Sequence, residues 1–428
     1  MSPTFRSLHV RNYRLFASGQ ILSLTGTWMQ RVAQDWLVLQ LTHSAVALGI
    51  TTALQFLPML LFGMYGGVLA DRYPKRRLLL VTQTTSAVFA AALGVLDVTG
   101  VVQAWHVYAL AFLLGSSAAV DTPTRQAFVV ELVGPSDLPN AVGLNSATFN
   151  SARIIGPAIA GYLISLVGTG PVFLINAASY IGPVIALLAM HDSELHRAKP
   201  VARAKGQARA GLRYVRSRPE LLMPIILVTI VGMFGLNFQM TLALIAKQTF
   251  QRDALSYGAL SAALAFGSLI GALGAARRPQ PRHRLLYGAA FAFGVLEFAD
   301  AFIPSYWLLM VALVPTGIAI LTMTTSANSL CQLLSAPSMR GRVMALYVLV
   351  FLGGTPFGAP LIGGLASILG PRSSLYIGGA VSAVAALVTA VVFARLQRVR
   401  VHGHLRPRPH VHVLPVAPVT VEGSGHGA

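Results

Sequence analysis

Apolar runs of about 20 residues or more, each long enough to cross a bilayer as a helix, follow one another along nearly the whole of this 428-residue chain. They lie near 15–41, 45–70, 78–98, 104–130, 139–167, 171–190, 221–247, 256–276, 285–303, 306–334, 341–368 and 373–395, twelve in all. Only 11% of the residues are charged and 55% are hydrophobic, against roughly a quarter charged in a soluble domain. A single aqueous core cannot hold such a chain. The expectation is an all-α membrane protein.

The basic residues orient it. Short loops rich in Lys and Arg stay in the cytoplasm. Arg6, Arg11, Arg14, Arg72, Lys75, Arg76, Arg77, Arg277, Arg278, Arg282, Arg284, Arg340 and Arg342 fall on one side, with eight more from Arg197 to Arg218 and five from Arg395 to Arg408. Lys247, Arg252 and Arg372 fall on the other. Both termini are therefore expected in the cytoplasm, in a bacterial inner membrane that the Ala-, Gly- and Arg-rich composition suits. The net charge of +19 follows this pattern and does not form the clustered footprint of a nucleic-acid binder. One cysteine, Cys331, excludes an intrachain disulfide. The basic N-terminus precedes a span too long and too polar for a cleaved signal peptide, so that span is read as the first permanent helix.

The segment 191–220 divides the spans six and six. Four regions are expected: an N-terminal six-helix bundle over 1–190, a basic cytoplasmic linker over 191–220, a C-terminal bundle over 221–396, and a disordered cytoplasmic tail over 397–428, where Pro, Val and His alternate. The halves echo each other. Gly49 to Arg77 is repeated in layout by Gly258 to Leu286. Gly156-Pro157-Ala158-Ile159-Ala160-Gly161 before Gly168 recurs as Thr355 to Gly364 before Gly370. Two pseudo-symmetric bundles are implied.

Around the loop between spans 2 and 3 the chain reads Gly67, Leu69, Ala70, Asp71, Arg72, Lys75, Arg76, Leu79, with Pro74 where glycine is usual. In these residues it resembles the major facilitator superfamily. A second family signature, Gly-Pro-x-x-Gly-Gly, which the family associates with drug antiporters, is approached in span 5 by Gly156, Pro157 and Gly161, with Ala160 replacing one glycine. The stretches Asp121–Phe128 and Asn140–Ser146 are similar to the enterobactin exporter branch. The family's arginine in span 4 is replaced by Ala111. The resemblance implies a twelve-helix fold and a cytoplasmic gate formed by Gly67, Asp71, Arg72, Lys75 and Arg76, with Asp71 against the start of helix 11 at Ser338 and Met339. A purely topogenic role for the loop stays open.

Span 1 carries Gln20, Ser23, Thr27, Gln30, Arg31, Gln34 and Asp35 on one face at helical spacing. Charge inside a membrane is costly unless paired. Arg31 and Asp35, four apart, are expected to pair, with Asp35 as either the proton-coupling residue or half of a structural ion pair. Arg125 and Asp121, also four apart, and Arg153 are read as gate ion pairs. Arg340 and Arg342 face Glu131 and Asp137 in a cytoplasmic latch. Glu297 is a second acidic candidate for coupling and, together with Asp300, an alternative outer-rim feature. Trp36, Phe56, Met59, Phe234, Phe238 and Met240 are candidates to line a greasy cavity.

No catalytic motif and no nucleotide-binding loop is present, and no cofactor or metal site is expected. The reading is a monomeric secondary transporter in a lipid bilayer, exporting small, largely apolar compounds such as drugs or siderophores in exchange for protons. Import or facilitated movement through the same fold, and a non-transporting sensor, are the alternatives.

Overall fold

The protein is described by a computed structural model covering residues 3–196, 207–276, 282–336, 339–396, 399–404 and 410–415. The middle of the expected linker, Arg277, Arg278, Ser338 and most of the tail lie outside the described residues.

Apolar composition and the need to satisfy every backbone amide away from water leave a helix as the local solution. The chain forms α1 (Arg11–Thr42), α2 (Ala45–Arg72), α3 (Lys75–Val98), α4 (Ala104–Val167), α5 (Thr169–Ser179), α6 (Ile181–Leu188), α7 (Gln207–Arg216), α8 (Pro219–Phe234), α9 (Phe238–Leu244), α10 (Ala254–Ala276), α11 (His283–Asp300), α12 (Tyr306–Leu333), α13 (Arg340–Gly353), α14 (Thr355–Leu369) and α15 (Ser373–Leu396). Spans 4 and 5 run together as α4, bent at Gly134, whose φ of 69° suits a residue without a Cβ. Spans 6, 7 and 11 are each interrupted, as α5/α6, α8/α9 and α13/α14. A π-helical turn, Ile245–Thr249, follows α9.

Among the described residues, nine helical stretches are long and apolar enough to cross a membrane. The other three expected spans are α1, the first part of α4, and α11. Each carries acidic or basic side chains that dilute its apolarity, Asp35, Asp121 and Glu297 among them. Asp35, Asp121 and Glu297 therefore sit on helical segments outside the nine apolar stretches.

Beyond α15, Val399–His404 pairs antiparallel with His410–Pro415, Val399 opposite Pro415. The alternation of Val with polar residues at period two gives those segments a strand pattern.

α1 to α6 pack into one bundle, and α8 to α15 into another. The bundles meet along two seams, α2 with α14 and the second part of α4 with α10. Both seams are tight at the end opposite the basic loops. A Cβ on Gly161 would lie 2.7 Å from the Ala254 carbonyl oxygen, and one on Gly363 would lie 2.6 Å from that of Ala45. Gly258 likewise abuts the Pro157 carbonyl, and Gly49 that of Ala359. These are the glycines of the internal repeat, so each seam is the pseudo-symmetric copy of the other. Small residues let the backbones approach where lipid provides no hydrophobic drive.

Toward the basic end such close packing is absent at Gly143 of α4. Nothing lies within 4 Å of a Cβ on Gly143, and Met64, Tyr65 and Val142 are exposed.

Candidate functional site

A cavity of about 510 Å³ enters the first bundle. Thr122, Gln126, Ser146 and Phe149 form an exposed rim toward the basic end. Thr27, Gln30, Arg31 and Gln34 of α1 line it together with Gln55 of α2, Gln83 and Ser86 of α3, and Asp121 and Arg125 of α4. The polar face of α1 points inward, as its spacing predicts. Thr27 donates to the Ser23 carbonyl at 2.8 Å and meets the Tyr180 hydroxyl at 3.4 Å. Gln30 accepts from Asn176.

Asp121 is a hub. It takes hydrogen bonds from Thr82 at 2.9 Å and Gln83 at 2.7 Å, and it pairs with Arg125, which also reaches Gln20. The expected Arg125–Asp121 pair is thus formed, at the cavity wall. Trp28 and Phe149 line the cavity and meet edge to face at 5.8 Å. The six aromatic and methionine candidates do not line it. The wall mixes amides such as Gln30, Gln34, Gln55 and Gln83 with apolar side chains such as Leu24, Ala111, Leu114 and Ala118.

The expected Arg31–Asp35 ion pair does not form. The guanidinium turns to the rings of Trp28, 4.7 Å away, and Phe56, 5.4 Å away, where a ring face attracts a desolvated cation. Asp35 points off the cavity into the closed end. Its Oδ2 accepts a 3.0 Å hydrogen bond from Tyr257 of α10, while Oδ1, buried, has no partner. Trp36 stacks on Tyr257 with centroids 6.4 Å apart. Tyr257 could not be found from α1, since nothing in sequence links residues so far apart.

The basic-loop residues divide. Gly67, Asp71 and Arg72 lie at the end of α2, Asp71 and Arg72 exposed. Lys75 pairs with Glu131 at 2.7 Å. Arg76 donates to the carbonyls of Leu187 at 2.6 Å and Leu188 at 3.0 Å and pairs with Asp192 at 2.7 Å, so a cation meets the last carbonyls of α6. Met339 caps the start of α13.

The latch is not made in this conformation. Asp137 pairs with Arg6 at 2.9 Å, Arg340 donates to the Gln332 carbonyl at 3.0 Å, and Arg342 lies against the Met339 sulfur at 3.2 Å. Each of these contacts lies within one bundle. Arg153 forms no ion pair among the described residues: it spans the α4–α10 seam to donate to Ser268 at 2.6 Å.

Glu297 is no rim residue. It is 2% exposed, inside the second bundle between Gly235 and Gly378, and its Oε2 has no partner. Asp300 beside it accepts from Thr316 at 2.8 Å. Neither lines the cavity. Hydropathy placed this pair near a helix end, and tertiary packing covers it. Among the described residues no group of three or more His, Cys, Asp or Glu is placed to hold a metal.

A family model described as transmembrane secretion effector, MFS_3, matches residues 2–425. The chain belongs to this family of major facilitator transporters. It is 28% identical over 356 residues to the multidrug efflux pump Tap of Mycolicibacterium fortuitum, covering 81% of this chain and 87% of Tap. To the enterobactin exporter EntS of Escherichia coli O1:K1 / APEC it is 24% identical over 409 residues, 93% of this chain and 94% of that one. A stretch of 179 residues is 35% identical to the staphyloferrin A transporter of Staphylococcus aureus, covering 42% of this chain but only 45% of that relative. Among solved structures, a bacterial homologue of the iron transporter ferroportin in an inward-facing state superposes with a TM-score of 0.65 at 15% identity, covering 90% of this chain and 98% of that one. The fold and family of this transporter are those of membrane carriers, not of enzymes.

Proposed function

We propose that this transporter exports small organic molecules across a bacterial inner membrane in exchange for protons, with Asp35 as the proton carrier. The observation behind the reading is the setting of Asp35. A carboxylate 2% exposed, with one oxygen on Tyr257 of the other bundle and the other oxygen unpartnered, sits where the bundles must part for the closed end to open. Burying such a charge is costly, and a proton removes the cost. Occupancy by a proton and opening of that end are then linked, as antiport requires.

The excess of arginine at the end where the cavity opens supports a cytoplasmic mouth and cytoplasmic termini, which makes the conformation inward-open. Twelve spans in two six-helix bundles, joined by the basic segment 191–220, complete this topology, with Gly67, Asp71 and Arg72 guarding the mouth. Export is supported by the relatives named as an efflux pump and an exporter.

The test is transport in reconstituted vesicles carrying a pH gradient. Wild type should accumulate substrate against its gradient, and Asp35→Asn should equilibrate it only. If wild type also moves substrate only downhill, the protein is a facilitator, and if Asp35→Asn still accumulates, the proton rides elsewhere.

A further inference from the structure

The hydrogen bonds left unmade in the cavity point to what fills it. Gln30, Gln34 and Gln55 line it from α1 and α2, and each keeps an Nε2 amide out of water with no acceptor. Gln30 and Gln34 are 4% and 2% exposed. The orientation of Gln30 is set by Asn176, which donates to its oxygen. Buried amide donors are nearly always paired, so these three donors around one cavity are placed to take an acceptor brought by a ligand.

Charge agrees. Arg31 lines the same wall and, among the described residues, has no carboxylate within ion-pair distance, resting on the faces of Trp28 and Phe56. The one acid among the lining residues, Asp121, is already saturated by Thr82, Gln83 and Arg125. Arg31 therefore lines the cavity with no carboxylate among the described residues in contact with its guanidinium.

Resting on the reading that substrate passes through this cavity, we infer that the substrate is an organic acid. Its carboxylate docks on Arg31 and the amides of Gln30, Gln34 and Gln55, and its ring or apolar body lies against Trp28 and Phe149. Guanidinium and amide N–H groups converging on a carboxylate pair opposite charges and can form a forked bond, which a neutral or cationic compound cannot match.

The test uses the full chain in nanodiscs and isothermal titration with naphthalene-2-carboxylate, its neutral amide, and the cation ethidium. The carboxylate should bind at least tenfold more tightly than either. Arg31→Gln should cost tenfold or more, and Arg31→Lys less. Gln55→Leu, on a different helix, should weaken the carboxylate severalfold and leave the amide unchanged. No carboxylate binding, equal binding of the amide or ethidium, or full carboxylate affinity in folded Arg31→Gln or Gln55→Leu overturns the assignment.

Vesicle transport separates the two readings. A carboxylate that binds but never moves sinks the exporter and keeps the site. Movement of ethidium with no carboxylate binding keeps the exporter and sinks the site.

Discussion

Tyr257 of α10 donates a 3.0 Å hydrogen bond to Asp35 of α1, a polar bond that crosses from one bundle to the other at the closed end. The pair is buried under the stack of Trp36 on Tyr257, and Lys247 lies 5.2 Å over the Trp36 ring. Nearby, Gln248 donates to the His43 carbonyl at 3.4 Å, again from bundle to bundle. Any motion that opens this end must break these contacts together and bring water to Asp35.

Removing the phenol alone should therefore loosen the closed end. In Tyr257→Phe, Asp35 loses its phenol donor while still buried, and a hydrogen bond to a charged group is worth about 1.5–3 kcal/mol. Opening restores water to the carboxylate, so the population should shift toward the open end about tenfold or more. Spin labels at Val46 and Ile368, exposed positions near the ends of α2 and α14, read this as a longer-distance population in the variant. An unchanged distance distribution would show that the bond does not hold the end shut.

The seam glycines should act as matched pairs. Gly161→Leu and Gly363→Leu each push a side chain into a backbone carbonyl less than 3 Å from where the Cβ must sit. Overpacking of this kind costs typically about 1–3 kcal/mol. Because the two positions are pseudo-equivalent, both variants should open the same end to a similar degree and lower transport, with membrane insertion retained. Gly143→Leu, which meets nothing within 4 Å in this conformation, is the control: it should leave the same label distances as wild type.

The repeat of Gly49 with Gly258 and of Gly161 with Gly363 was legible in sequence and implied two related bundles, but that these glycines form the seams between the bundles is set by tertiary packing. The inward polar face of α1 was legible from its spacing. What failed was pairing. Arg31 and Asp35 stand four apart, yet helical spacing fixes only where Cβ atoms lie, and a long arginine chooses among partners that tertiary structure supplies, here Trp28 and Phe56. Arg153 was misplaced for a related reason: its partner Ser268 belongs to the other bundle. Glu297 was read from its nearness to a helix end, and burial depends on what packs over that end.

Arg76 distinguishes a staple from a gate. Its guanidinium reaches the Leu187 and Leu188 carbonyls and the Asp192 carboxylate at once, a forked geometry that an ammonium cannot copy. Arg76→Ala and Arg76→Lys should both lower thermal stability, by about 2 kcal/mol given the strength of charge-assisted bonds and the partial exposure of Asp192. Transport per folded molecule should fall little. If melting is unchanged while transport collapses in both variants, Arg76 acts on the gate and its contacts with α6 are incidental.

Asp121 should be the costliest carboxylate of the first bundle to neutralise, and Asp137 among the cheapest. The side chains of Arg125 and Asp121 are 17% and 8% exposed, and Asp121 also holds Thr82 and Gln83. Asp121→Asn keeps the shape but leaves Arg125 without its counter-charge, and breaking a buried pair from one side costs about 3–5 kcal/mol. The Arg6–Asp137 pair is built on an arginine side chain 66% exposed, where water already solvates the charge and an ion pair is worth under about 1 kcal/mol. Thermal denaturation in nanodiscs should therefore rank Asp121→Asn well below wild type and Asp137→Asn close to it. Adding Arg125→Gln to Asp121→Asn should recover part of the loss, because the double variant buries no uncompensated charge. A double variant that melts lower than Asp121→Asn alone would mean that the bond from Arg125 to Gln20, and not the ion pair, carries the stability of this wall.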